Sequence, residues 1–333
     1  VPVNKSFGFT LSAARTLQFS PQDGAFLTWQ GAGVATNGTN FPHTTAENPY
    51  LTTFSMRDGV KNTERDSLGA TFDFKLGRYD SLSVGFSWAF FDAQFNDRSV
   101  NYNVGSVSVG NFDAYHTYGN VGAGNFSYGG SARDKAGTTW TSTVRWRHNG
   151  PTWKMDAGLS HSNATNHYRD IDKGWFNGIS VRRTGVTVRF DDNWYLRPGK
   201  ITVLDGTTGA IVDTSRLENS YINNFNSNQL EGLDIKQSFQ ASIGRSFMML
   251  GEKRIPLTLK LGTVIDHSRR DTGSRANNYT WVGADGVAHS GNPNTATSKD
   301  DNGALILDKD YYKSLPYGFG MSQWPNHQLA YSL

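Results

Sequence analysis

The sequence predicts an all-β fold: an antiparallel up-and-down meander that forms part of a large transmembrane β-barrel with long external loops. Three observations lead there. Paired runs of alternating apolar and polar residues are about ten residues long, roughly twice the usual ~5–6 of a strand. Tight turns alternate with very long connections, the order expected of an outer-membrane barrel. No apolar stretch approaches the ~18 residues that a membrane-spanning helix needs.

The first strand is "SFGFTLSA", with Phe7, Phe9, Leu11 and Ala13 on one side. The clearest hairpin is "LGATFDFKLGRYDSLSVGFSWAF". Leu68, Ala70, Phe72, Phe74 and Leu76 alternate with Gly69, Thr71, Asp73 and Lys75. After "GRYD", Leu82, Val84, Phe86, Trp88 and Phe90 continue the apolar row in phase. The next hairpin sets Trp140, Val144 and Trp146 against Arg145 and Arg147. It turns through "HNGPT" and returns with Trp153, Met155, Ala157 and Leu159 opposite Lys154, Asp156 and Ser160. The last hairpin carries Ile235, Phe239, Ile243 and Phe247, then Ile255, Leu257, Leu259, Leu261 and Ile265. Gln237 and Arg245 interrupt its first arm.

Between these hairpins lie segments 19–66, 95–139, 163–234 and 267–333, each far beyond the ~15 residues at which loops become uncommon. "KITVLDGTTGAIVD" and "YTWVGADGVAHS" read as secondary hairpins within them. "GAGNFSYGG" reads as a Gly-rich loop tip, since a phosphate-binding loop needs a strand before it and a helix after it.

Composition narrows the function. Charged residues are 18% and aromatics 13% of 333 residues, unlike a disordered chain. A net charge of +3 without basic runs gives no nucleic-acid partner. Absence of cysteine excludes disulfides and thiolate metal sites. The start, "VPVNKSFGF", lacks the pattern of a signal peptide. A soluble β-sandwich would also alternate. Against it stand the strand lengths, an apolar face crowded with Phe and Trp, and Trp residues toward expected strand ends, where interfacial girdles sit.

"RDSLGATFDFKLGRYDSLSVGFSWAFFDAQFNDR" resembles the barrel hairpins of TonB-dependent outer-membrane receptors. "GPTWKMDAGLSHSNATNHYRDIDKGWFNGISVRRTGVTVRFDD" and "PLTLKLGTVIDHSRRDT" are similar to further strands and loops of that family. The resemblance implies the outer membrane of a Gram-negative bacterium and uptake of a scarce solute such as a siderophore or carbohydrate. It also implies lipid, a plug domain, the TonB energy-coupling complex and a small-molecule or oligosaccharide ligand as partners. The family's 22 strands and its plug are not recognisable, so residues 1–333 are expected to be one incomplete barrel segment of about seven long strands.

Candidate residues divide by face. Asp73, Lys75, Arg145, Arg147, Lys154, Asp156, Lys236, Lys260 and Asp266 are expected to face the lumen. Phe72, Phe74, Val84, Phe86, Trp88, Trp140, Trp146, Trp153, Leu257 and Leu259 are expected to face the membrane. The amide- and aromatic-rich stretches "NYNVGSVSVGNFDAYHTYGN", "ENSYINNFNSNQ" and "YYKSLPYGFGMSQW" suit sugars or flat chelates by stacking, and equally suit long loops. His161 and His167 read as loop histidines, and "RDIDKG" and "KDDNG" as Asp-rich turns without the Glu of a calcium-binding EF-hand. No catalytic set and no cofactor site is expected. A surface or secreted carbohydrate-binding module and a porin-type channel are the alternatives to a TonB-dependent receptor.

Overall fold

A computed structural model of the chain describes residues 1–30, 49–193, 197–249, 255–289, 291–293, 299–314, 318 and 320–333. It is all-β and antiparallel throughout. The strands are β1 (Phe7–Pro21), β2 (Gly24–Gln30), β3 (Tyr50–Lys75), β4 (Asp80–Asn103), β5 (Val107–Phe112), β6 (Thr117–Gly119) and β7 (Gly124–Asn149). They continue with β8 (Trp153–Arg169), β9 (Gly178–Asn193), β10 (Pro198–Asp205), β11 (Tyr221–Met249), β12 (Ile255–Thr280), β13 (Lys313–Ser314) and β14 (Met321–Ser322). One short helix, α1 (His327–Ser332), follows, started by the Asn326 side chain accepting from Gln328 N and Leu329 N.

Among the described residues, seven strands run as a meander in the order β1, β3, β4, β7, β8, β11 and β12. The three expected hairpins pair antiparallel in the expected phase: Phe72 opposite Val84, Val144 opposite Leu159, and Phe239 opposite Ile265. Leu76–Tyr79 and Gly150–Thr152 connect the first two hairpins; the turn of the third lies outside the described residues.

Strand length differs most from the sequence reading. β3, β4, β7 and β12 are 24–26 residues long and β11 is 29, so much of what reads as external loop is strand. Trp88 and Trp140 therefore lie within β4 and β7, not at strand ends. "GAGNFSYGG" is the start of β7, with Phe126 and Tyr128 buried. His161 and His167 lie within β8 rather than in a loop. "YTWVGADGVAHS" makes turns after β12 and no second hairpin. "KITVLDGTTGAIVD" does fold back, with Val212 N donating to Val203 O, but its main partner is β9. These stretches escape a period-2 reading because their apolar face is met by other parts of the same chain, and small and amide residues fill the opposite face.

Above the meander the sheet changes partners. β8 stops at Arg169, where Asp170 accepts from Ile171 N and Asn228 N. A turn closes at Gly174, whose φ of 89° suits a residue without a Cβ. β9 then takes the vacated slot between β7 and β11, pairing Tyr128 with Val181 and Val181 with Ile222. The outcome is one buried row across five strands: Met56, Val100, Tyr128, Val181 and Ile222. Leu217, Ile306 and Trp324 from the connecting segments complete this core, with Trp324 edge-on to Tyr128 at 5.3 Å. We call this part the cap.

Candidate transmembrane wall and its two faces

The register sorts the candidate residues without exception. Residues directly opposite in an antiparallel pair share a face, and alternate residues along a strand do too. Phe9, Phe72, Val84, Val144, Leu159, Phe239 and Ile265 form one continuous row across the seven strands of the meander. The rows holding Phe74, Phe86, Trp88, Trp140, Trp146, Trp153, Leu257 and Leu259 lie on the same face. Asp73, Lys75, Arg145, Arg147, Lys154, Asp156, Lys236, Lys260 and Asp266 all lie on the other.

The apolar face is exposed in its lower half. Leu159, Leu259 and Ile265 are 59%, 60% and 61% accessible, and no second sheet covers them among the described residues. A sandwich would bury this face. The nine residues Leu82–Phe90 rise roughly 20 Å at ~3.4 Å per residue and a tilt of ~35–45°, near the ~25 Å apolar band of outer-membrane barrels. Above it comes a charged tier on the same face, where Arg15 pairs with Glu64 and approaches Asp66 at 3.8 Å. Higher still, the same face turns inward to the cap core, since β3, β4 and β7 keep one unbroken register from the belt to Met56, Val100 and Tyr128.

The polar face carries fixed charges. Arg145 Nε and Arg147 Nε both reach Asp156 Oδ2, at 2.8 and 3.2 Å, across the β7–β8 hairpin. Ser83 donates to Asp73, and Lys154 Nζ donates to Asn149 Oδ1 at 2.7 Å. Lys154 and Lys260 flank Gly244 on neighbouring strands. Small residues fill the gaps, so this face stays flat and wettable.

One feature of the apolar face escapes the sequence reading. Ser142, His161, Gln237 and His267 make a polar row at the level of Phe86, in the middle of the belt. Gln237 Nε2 and His161 Nδ1 are 3.2 Å apart, and the Trp140 ring lies 4.9 Å from the His161 ring. Gln237 as an interruption was the only signal, and the partnership needs the register. Arg245, the other interruption, lies over the Trp153 ring at 5.1 Å toward the lower margin of the belt, where a long side chain reaches water.

The amide- and aromatic-rich stretches largely build the cap. Tyr102, Tyr221 and Phe225 are buried, so these rings are unavailable to stack on a sugar. Tyr115 and Tyr312 remain exposed, at 65% and 60%. In the cap, Arg183 Nη2 and Asp205 Oδ2 meet at 2.6 Å. The amides of Thr208 and Thr207 and the Arg183 guanidinium hold the Asp205 carboxyl down to about 2.

No family model and no curated protein matches this sequence. Among solved structures, the chain is similar to OccK2 (OpdF) of Pseudomonas aeruginosa, crystallised with glucuronate, at 9% identity over 80% of this chain and 96% of that one, with a TM-score of 0.08. OpdL of the same organism gives 9% identity over 81% and 98%, with a TM-score of 0.09. A BenF-like porin from Pseudomonas fluorescens gives 9% identity over 82% and 98%, with a TM-score of 0.08. At such scores the shapes do not superpose, and the description of the fold rests on the strand register.

Proposed function

We propose that this chain supplies part of the wall, and an outward-lying cap, of an outer-membrane barrel that takes up a solute into a Gram-negative cell. The apolar row shared by the seven strands of the meander carries this reading. Lipid is the medium that suits such a face, because apolar side chains left uncovered by the chain itself are removed from water there. The opposite face, with Arg145, Arg147 and Asp156, then lines a wet lumen. The chain does no chemistry in this reading; it bounds a path.

The test uses the absence of cysteine. Leu159→Cys and Ser160→Cys, each carrying one environment-sensitive fluorophore, are placed in the complete parent protein in lipid vesicles. Brominated lipid should quench the label at 159 strongly and that at 160 weakly. Equal quenching, or the reverse, removes the barrel.

Within that reading, TonB-dependent uptake of a siderophore, carbohydrate or similar solute is supported by the resemblance of the Arg65–Arg98 hairpin. Strands that run far above the belt into a folded cap also suit it. A plug of the same protein and the TonB complex would be its partners. A porin-type channel is the second reading, and the part-exposed Arg145–Asp156–Arg147 cluster favours it, since fixed charges tune an open pore. Planar-bilayer conductance of the parent protein separates the two: an open channel means a porin, and a closed one means a plugged lumen.

A further inference from the structure

The turns after β12 and the segment ahead of the cap core bring three carboxylates together. One ligand oxygen from each of Asp285, Asp300 and Asp301 lies within 4.8 Å of the others. Crowded acids alone mean little, but Asp301 is 1% exposed and its Oδ1 has no hydrogen-bond partner. That buried oxygen points at the same spot as Asp300: a Cβ at Gly283 would stand 2.5 Å from Asp300 Oδ2 and 2.9 Å from Asp301 Oδ1. Gly283, at φ +56°, is what lets the backbone lie against the two acids. The turn also wraps them, as Ala284 N and Asp285 N donate to Asp300 Oδ2 at 2.8 and 3.2 Å. Trp281 Nε1 donates to Asp300 O at 3.1 Å, holding an indole beside the site.

We propose that Asp285, Asp300 and Asp301 bind one calcium ion, which fastens the 281–287 turns to the 299–306 segment. Oxygens that all lie within 4.8 Å of one another can share one cation bonded at ~2.3–2.6 Å, and hard carboxylate ligands are those calcium takes. Magnesium demands near-ideal octahedral geometry and gives up its waters reluctantly, so an irregular set of three carboxylates suits it less. Hard carboxylate oxygens without Cys or a free imidazole do not suit zinc; His289 Nε2 is already engaged with Asn292 O at 3.0 Å. The segment so fastened enters the cap directly, through Gly303 N to Ser220 O at 2.8 Å and then the buried Ile306.

The experiment is terbium luminescence on the full chain in detergent, with Trp281 as the sensitising antenna. Terbium should light up, calcium should displace it at about 10⁻⁴–10⁻³ M, the range of extracellular modules, and magnesium should not compete at those concentrations. Asp285→Asn, at an exposed position where misfolding is not a concern, should weaken binding about tenfold, because affinity follows ligand charge count. Trp281→Phe should abolish the light while calcium still protects the 281–303 region from protease. Without calcium, Asp301→Asn should be more protease-resistant than the unaltered chain. No sensitised emission, unchanged affinity in Asp285→Asn, or equal displacement by magnesium would overturn the site. Protection that is independent of calcium would mean that water, not a cation, meets the orphan oxygen.

Discussion

Arg98 and Asp308 are 210 positions apart in the chain and meet at 2.8 Å, Nη2 to Oδ2. The guanidinium also lies over the Tyr311 ring, 3.6 Å from its centroid, and the Tyr311 hydroxyl donates to Asp58 on the neighbouring strand. One side chain of β4 thus fastens the C-terminal segment onto the apolar face just where the cap begins. Side-chain exposures of 17% and 6% make this an interior pair rather than a surface one.

Removing one partner of that pair should loosen the cap and spare the wall. Asp308→Ala leaves Arg98 half-buried without its counter-charge, and breaking such pairs costs up to about 3–5 kcal/mol. The double variant Arg98→Ala/Asp308→Ala should cost less than the two single changes summed. Protease resistance of segment 299–333 measures it, with refolding into lipid unchanged.

Val84 and Ser83 are neighbours on β4 that face opposite ways. Val84→Arg puts a guanidinium into the belt and should cost roughly 2–4 kcal/mol of refolding free energy into vesicles. Ser83→Arg enters the wet face beside Asp73 and opposite Arg145, at about 1 kcal/mol or less. A larger cost at position 83 would mean that the apolar row does not meet lipid.

His327 gives the cap a pH dependence. It is 7% exposed, and Nδ1 donates to Phe176 O at 3.0 Å. Burial, with Arg98 nearby, pulls its pKa down to about 4 from the ordinary 6.5. The unfolded segment therefore takes up a proton between those values and the folded cap does not. Stability is full above pH 6.5 and falls as pH drops toward 4, by up to about 3 kcal/mol. Hydrogen exchange of residues 303–333 should accelerate across that window, and His327→Asn should flatten the response.

Gly130 is a second seat for the cap. A Cβ there would fall 2.3 Å from Asp97 O and 3.0 Å from His327 Nε2. Gly130→Ala should cost about 1–3 kcal/mol, the range for overpacking. Near-ultraviolet circular dichroism should register it in the aromatic cap, while quenching of labels in the belt stays as in the unaltered protein.

The belt was legible in the sequence because its alternation is strict and uncompensated: every second residue from Leu68 to Leu76 and from Leu82 to Phe90 is apolar or small. The assignment of Asp73 and Arg145 to one face, and of Phe72 and Val144 to the other, follows from that period alone. The cap was not legible. Short alternations are present, as Val100, Tyr102 and Val104 with Asn101 and Asn103 between, but the row of Met56, Val100, Tyr128, Val181 and Ile222 comes from five strands. No local pattern says which strands meet in it, and the replacement of β8 by β9 is decided by a turn at Asp170 to Gly174 whose residues read as ordinary loop. The His161–Gln237–His267 row stayed hidden for the same reason.

The row that closes the cap also sets an order of events. The core it belongs to reaches from Tyr50 to Ala330, and contacts of such sequence separation are the slowest to form, since the chain between them must be ordered first. Hairpins such as Phe72 with Val84 need only a four-residue turn and can zip early. Phe54 cannot find Tyr102, nor Tyr128 find Trp324, until the strands beneath them are already in register. The cap is accordingly a checkpoint on assembly: a strand slipped by one residue in the belt would present Asn101 and Ser127 where Val100 and Tyr128 belong, and the outer core would fail to close over the error.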